Sequence, residues 1–181
     1  MSGLIFCVVL NTIMYETMFI LASIIFTQDI PDGTLLFIEG GNEIVMDFTD
    51  SSYSHVAIIF NEDGKPYVYE AIRPVCRKIL FEDYVKEIEK KKKIKLWIEK
   101  PINLNAQNVK KMKEYCEEQI GRKYRIKSFL SGKPEKTIHC AEMTTRAMIA
   151  GGMDVKENPC NRSPKDIMDF SSKWYEKAII F

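Results

Sequence analysis

Ser54-His-Val-Ala-Ile-Ile-Phe-Asn-Glu-Asp-Gly-Lys-Pro-Tyr-Val-Tyr-Glu-Ala71 is the stretch whose reading decides the fold. Two β-branched and aromatic runs, His55 to Phe60 and Pro66 to Glu70, flank the turn chemistry of Asn61-Glu-Asp-Gly64. They predict an antiparallel hairpin. With Phe60 facing Lys65 across a four-residue loop, His55 stands directly opposite Glu70. Directly opposed residues have Cβ atoms about 4.5–5.5 Å apart, close enough for a carboxylate to hold one imidazole nitrogen and fix its tautomer. That is a base with its orienter. The expectation depends on loop length, since a one-residue slip sends the two side chains to opposite faces.

A base of this kind needs a nucleophile, and Cys140 is the candidate. Residues Thr137 to Gly152 form a good helix sequence that stops at the Gly151-Gly152 pair, with Cys140 in the first turn. A thiol there feels the positive end of the helix dipole and unpaired backbone N–H groups, which favour thiolate and can stabilise an oxyanion. The chain has only two histidines. His139 is adjacent to Cys140, so on a helix its side chain leaves about 100° away. By elimination the base is His55.

These residues resemble the permuted papain-like cysteine hydrolases of the NlpC superfamily, in particular the YiiX-like branch. The matching pieces are Asp32-Gly-Thr-Leu-Leu-Phe37, Tyr53-Ser-His-Val-Ala57, Lys65-Pro-Tyr-Val-Tyr-Glu-Ala71, Ile120-Gly-Arg-Lys-Tyr124, His139-Cys-Ala-Glu142 and Ser163-Pro164. They run in the permuted order His, Glu, Cys, whereas the parent papain arrangement has its cysteine first. The resemblance implies Cys140 as nucleophile, His55 as base and Glu70 as orienter, the same roles that the hairpin and helix suggest. It also implies that Tyr124 lines the active site, with its hydroxyl near the oxyanion. Relatives often carry Ser after the cysteine, where this chain has Ala141; that residue contributes mainly a backbone N–H, so the effect is expected to be small.

Composition narrows the class. A chain of 181 residues, 46% of them hydrophobic, supports one ordinary domain with a core. The net charge of +1 argues against a general nucleic-acid binder, yet its distribution is lopsided. Residues 1–64 hold nine acidic residues and no Lys or Arg, which leaves 26 basic against 16 acidic residues in the rest. This either balances two packed halves or attracts acidic substrates toward the Cys140 side. The five cysteines include no CxxC and no histidine at ligand spacing, so no metal site is expected. An odd, widely spaced set also fails as a disulfide framework.

Residues 1–28 hold two apolar runs, Leu4 to Leu10 and Met18 to Phe26, with Asn11, Thr12, Glu16 and Thr17 between them. This reads as a signal peptide or N-terminal anchor, offers membrane association through residues 4–26, and implies an exported, cell-envelope or periplasmic location. The alternatives are an amphipathic helix packed on a cytoplasmic domain and translation from Met18. Beyond it, short strands are expected at Thr34 to Ile38, Val75 to Leu80 and Ile94 to Ile98, and a brief helix at Glu43 to Phe48. Longer helical patterns cover Phe81 to Lys93 and Asn105 to Ile120, the latter with an Asn cap and Cys116 on its apolar stripe. The Lys90 to Lys93 run sits at a helix end with no interleaved aromatics, which is a solvated terminus rather than a base-stacking patch. Ser54, just ahead of the catalytic strand, and Arg73, beside Pro74, are candidates to line the substrate pocket with Tyr124; the alternative for Arg73 is a solvated surface residue. Ile126 to Lys136 reads as a polar loop bordering the cleft, and Ser163-Pro164 as a helix start.

The resulting expectation is an α+β domain over residues 29–181: a small antiparallel sheet packed against helices, in a circularly permuted papain-like fold with the nucleophile at a helix N-terminus. The expected chemistry is cofactor-free acyl transfer, cleaving an amide in a small or cell-wall-type peptide. Thioesterase or acyltransferase chemistry on lipids or esters is the alternative, and a catalytically silent envelope binding module a second one.

Overall fold

The computed structural model describes residues 30–91 and 93–180. The expected signal or anchor segment, residues 1–28, lies outside them. Six strands form one antiparallel sheet: β1 (Thr34–Glu39), β2 (Tyr53–Glu62), β3 (Lys65–Ala71), β4 (Cys76–Leu80), β5 (Lys95–Glu99) and β6 (Ile179–Ile180), in the order β4-β3-β2-β1-β5-β6. Six helices accompany them: α1 (Glu43–Thr49), α2 (Phe81–Glu89), α3 (Ala106–Gln119), α4 (Lys127–Ser131), α5 (Cys140–Ala150) and α6 (Pro164–Phe170). The architecture is α+β, as expected.

β1 and β2 are buried almost throughout because helices cover both faces of the sheet. On one face Leu35, Phe37, Val56, Ile58, Phe60 and Tyr69 form a single core with Met112 and Cys116 of α3, Ala141, Met143, Ala147 and Met148 of α5, and Ile167 of α6. The alternate residues of the same strands, Leu36, Ile59 and Val68, are equally buried, and α2 packs on β3 and β4 with Phe81, Tyr84 and Ile88 inward.

The hairpin differs from expectation in its turn. Glu62 pairs with Lys65, leaving a two-residue loop, Asp63-Gly64, with φ of 49° and 75°. Both positive values belong to a type I′ turn, whose twist matches that of the strands, and Asp-Gly is a preferred sequence for it. Asn61 and Glu62 therefore remain strand residues, and each is held. Asn61 N–H and Nδ2 donate to Asp32 Oδ1 at 2.5 and 2.9 Å, and Glu62 accepts from Tyr69 Oη and pairs with Lys78 and Lys113. The register consequently moves by two residues: Ile58 faces Tyr69, which sets Glu70 opposite Ala57 and makes His55 its diagonal neighbour rather than its direct partner. A shift of two preserves the face.

A second irregularity re-aims His55. Ile38 pairs with His55 but Glu39 pairs with Tyr53, so β2 carries one extra residue there. The bulge puts Tyr53 edge-on against Phe37 and Trp97 while His55, two residues on, stands opposite Ile38. Without the bulge the two would share a face.

The segment ahead of α5 is extended, because Ile138 bridges Tyr124 and its N–H donates to the Lys123 carbonyl at 3.1 Å. Arg122 anchors the same segment through the carbonyls of Glu135, Lys136 and Thr137. The helix thus begins at Cys140, later than a Thr137 start. α2 also stops earlier than the sequence pattern, at Glu89, before the like-charged lysine run.

Candidate active site

His55 and Glu70 meet despite the changed register. His55 Nε2 donates to Glu70 Oε2 at 2.6 Å, and with Nε2 committed it is Nδ1 that is left for the thiol of Cys140, which lies within hydrogen-bonding reach. Glu70 is 1% exposed, a position in which an uncompensated carboxylate is costly. Its second oxygen accepts from Arg77 Nε at 2.7 Å, and Arg77 is in turn forked onto Glu87 at 2.6 and 3.2 Å. The pair Glu70–Arg77 is directly opposed across β3 and β4. Burial works to raise the Glu70 carboxyl, but the bonds from His55 and Arg77 outweigh it and hold it below the usual carboxylate value.

Cys140 is the first residue of α5 and is 5% exposed. Burial raises its pKa, yet the hydrogen bonds with His139 and His55 and the charge on His55 bring it down to about 5. Burial lowers His55, and its bonds to Cys140 and Glu70 push it up to about 10. Between those values the two form a thiolate–imidazolium pair, held by the helix dipole on one side and Glu70 on the other. The other described cysteines differ: burial pushes Cys76 up to about 11 and Cys116 higher still, and Cys160 is also raised by burial.

His139 is the residue that the sequence reading set aside. It is the N-cap of α5: Nδ1 accepts from the Glu142 N–H at 3.3 Å, and Nε2 donates to the Cys160 carbonyl at 3.0 Å. Burial lowers its pKa and contact with Cys140 and the Cys160 carbonyl raises it, with a net rise; even so, taking a proton at Nδ1 would break the cap. His139 also neighbours the Cys140 thiol. Histidine is not among the favoured capping residues, so capping rules gave no signal for it. Glu142, fully buried in the first turn of α5, accepts from Ser128 Oγ at 2.5 Å and from Arg146 Nε at 2.9 Å. That network ties α4 against α5.

Cys140 opens into a cavity of about 70 Å³ lined by Ile44, Val45, Phe48 and Thr49 of α1, by Tyr124, Ile126, Phe129 and His139, and by Arg162, Ser163 and Pro164. Of the expected pocket residues, Tyr124 is in place. Burial and the charge of Cys140 raise its hydroxyl, while Arg73 lowers it. Ser54 is not: it is buried, and its hydroxyl donates to the Gly40 carbonyl, because it lies within the bulge and points away from His55. Arg73 is exposed and does not line the cavity, though its charge acts on Tyr124. The expected polar loop at 126–136 contains α4 instead, whose Phe129 stacks edge-on against both Phe48 and His139. A larger cavity of about 440 Å³, beside Asp32, Ile102 and Lys113, contains none of these groups.

Comparison with known proteins bears on this arrangement. A family model described as "Permuted papain-like amidase enzyme, YaeF/YiiX, C92 family" matches residues 29–160. Among solved structures, one titled as the metalloprotein YiiX from Escherichia coli O157:H7 is similar with a TM-score of 0.64 and 18% identity, covering 84% of this chain and 96% of that one. No curated protein sequence matches. Among the described residues, no group of three or more His, Cys, Asp and Glu converges to hold a metal ion.

Proposed function

The chain belongs to the permuted papain-like amidase family of YaeF and YiiX, and on that premise we propose that Cys140, His55 and Glu70 form the triad of a cysteine hydrolase acting on an amide bond. The observation that carries this is the 2.6 Å contact between His55 Nε2 and Glu70 Oε2, which leaves the opposite ring nitrogen to Cys140 at the start of α5. In this reading the Cys140 thiolate attacks the substrate carbonyl carbon. The oxyanion is stabilised by first-turn N–H groups of α5 and the Tyr124 hydroxyl. His55 Nδ1–H then protonates the departing amine as the C–N bond breaks, and returns as base to activate the water that hydrolyses the thioester. Glu70 fixes the tautomer throughout, and Arg77 keeps Glu70 ionised.

The favoured substrate is a small peptide of the cell-wall type, which the apolar residues 4–26 would bring the enzyme to meet by exporting or anchoring it. A second reading, ester or thioester chemistry on an acyl group, is supported by the cleft's apolar lining: Ile44 and Phe48 are 78% and 53% exposed beside Cys140. Incubating wild type and Cys140→Ala with a cell-wall peptide panel and a short acyl-ester panel tests both. Turnover of amides lost in Cys140→Ala is the expected result; loss confined to esters would favour the second reading, and equal signals from both proteins on every substrate would leave only a binding module.

A further inference from the structure

We propose that Tyr84 is a positioning residue of the active site, its hydroxyl donating through one ordered water to the Glu70 carboxylate; this rests on reading Cys140, His55 and Glu70 as the triad. Tyr84 is 1% exposed, and its hydroxyl is buried with no hydrogen-bond partner among the described residues. A buried hydroxyl left unpaired is destabilising, and in native proteins such groups are for the most part bonded to protein or to ordered water. The placement of Tyr84 supplies an acceptor. α2 packs on β3 and β4 with Phe81, Tyr84 and Ile88 inward. Three residues after Tyr84, and so its neighbour along the helix, Glu87 accepts the Arg77 fork. Arg77 in turn stands directly opposite Glu70 on the neighbouring strand and bonds to it. Tyr84 thus lies beside the chain Glu70–Arg77–Glu87 that backs His55.

Glu70 has acceptor capacity to spare. An ionised carboxylate offers about four lone-pair sites; Glu70 uses one with His55 Nε2 and one with Arg77 Nε. Its side chain is closed off from solvent, so bulk water does not occupy the others. An enclosed donor without an acceptor and an enclosed acceptor with free sites, close together but not directly bonded, are what a single water satisfies by accepting from one and donating to the other. Burial, and after it the charge of Glu70, raise the Tyr84 hydroxyl well above the usual phenol value; Cys140 and Glu87 act in the same direction and Arg77 against them. The group therefore stays a donor wherever the thiolate–imidazolium pair exists. Held by three donors instead of two, the carboxylate is fixed more firmly behind the imidazole, and its charge is shared among them.

The test needs no substrate. Wild type, Tyr84→Phe, Glu70→Gln and Tyr115→Phe, a control whose hydroxyl is likewise buried without a described partner, are prepared with ¹⁵N-histidine, and their imidazole N–H proton resonances and melting temperatures are compared. The resonance displaced in Glu70→Gln identifies the His55 Nε2–H proton and separates it from that of His139. Tyr84→Phe deletes a single oxygen. It should move the His55 resonance downfield, because Glu70 with one donor fewer pulls harder on Nε2–H, and should lower the melting temperature by about 1–6 °C. Tyr115→Phe should leave the resonance where it is in wild type. A His55 resonance unmoved in Tyr84→Phe, or a melting temperature raised by it, as removal of a hydroxyl with no partner would give, overturns the proposal. Neither readout involves turnover, so a hydrolase reading that fails in the Cys140→Ala comparison and a Tyr84 role that fails here are told apart.

Discussion

Replacing Glu70 by Gln probes the link between fold and chemistry most directly. The side chain keeps its size, but one of its two acceptor oxygens becomes an amide donor. If the remaining oxygen stays with Arg77 Nε, now at 2.7 Å, the NH₂ faces His55 Nε2 and forces the ring to accept there, which is the wrong tautomer and disfavours imidazolium. If the amide flips, its NH₂ meets the Arg77 N–H in a site that is 1% exposed. Both arrangements lose a hydrogen bond to a charged group, worth roughly 1.5–3 kcal/mol. Expressed on His55, that is a fall of roughly one to two pKa units.

The consequence is readable in the pH dependence. Below about 5 the thiol is protonated, and above about 10 the imidazolium is lost, so wild-type turnover should follow a bell between those limits. In Glu70→Gln the alkaline limb should move down to roughly 8–9, with the plateau rate falling on the order of 10- to 10³-fold. A rate profile from pH 4 to 11 for wild type, Glu70→Gln and Glu157→Gln, an exposed control, measures both effects, and melting temperatures separate them from unfolding. An unmoved alkaline limb and full activity in a normally folded Glu70→Gln would refute the role given to the His55–Glu70 contact.

Two further outcomes are expected. Cys140 should be alkylated by iodoacetamide well before Cys76, Cys116 and Cys160 at pH 6, since it alone among these has a lowered pKa; mass mapping that finds Cys140 no faster than the others would remove the ion pair. Arg77→Gln should leave the Glu70 carboxylate with one partner of two in the interior, costing about 1–3 kcal/mol, which thermal melting registers at roughly 2–4 °C per kcal/mol; an unchanged melting temperature would mean that Arg77 does not neutralise Glu70.

What the sequence disclosed and what it hid have the same physical origin. His55, Glu70 and Cys140 were legible because each lies in a local pattern: two on the strands of one hairpin, the third at the start of a helix that a glycine pair ends. Even a wrong turn length left the histidine–glutamate pairing intact, since the error was two residues and side chains alternate with period two. An odd error would have hidden the site, and the bulge at Ser54 shows how near that was, for it is what displaced Ser54 from the pocket. Arg77 was accessible to the same reasoning, standing opposite Glu70 on the next strand, but strand pairing across the Arg73-Pro74 bend was not carried to side chains.

The cleft itself was less accessible. Its walls come from α1, α4 and the turn before α6, segments up to about 120 residues apart in the sequence; Glu142 of α5 ties down α4 through Ser128, and Phe48 of α1 stacks on Phe129 of α4. No periodicity within any one of them signals that Phe48 and Phe129 stack. The groups proposed for catalysis are therefore each marked by a local pattern, and the groups that would select a substrate are set by long-range packing. It follows that substitutions at Ile44 or Phe48 should alter which molecule is bound while leaving the labelling rate of unliganded Cys140 unchanged, whereas changes at Glu70 or Arg77 should do the reverse. A Phe48→Ala variant whose free Cys140 reacts with iodoacetamide at the wild-type rate but is less well protected by an apolar amide such as octanamide would show that separation; a change in the intrinsic labelling rate would show that the cleft wall and the ion pair are one unit.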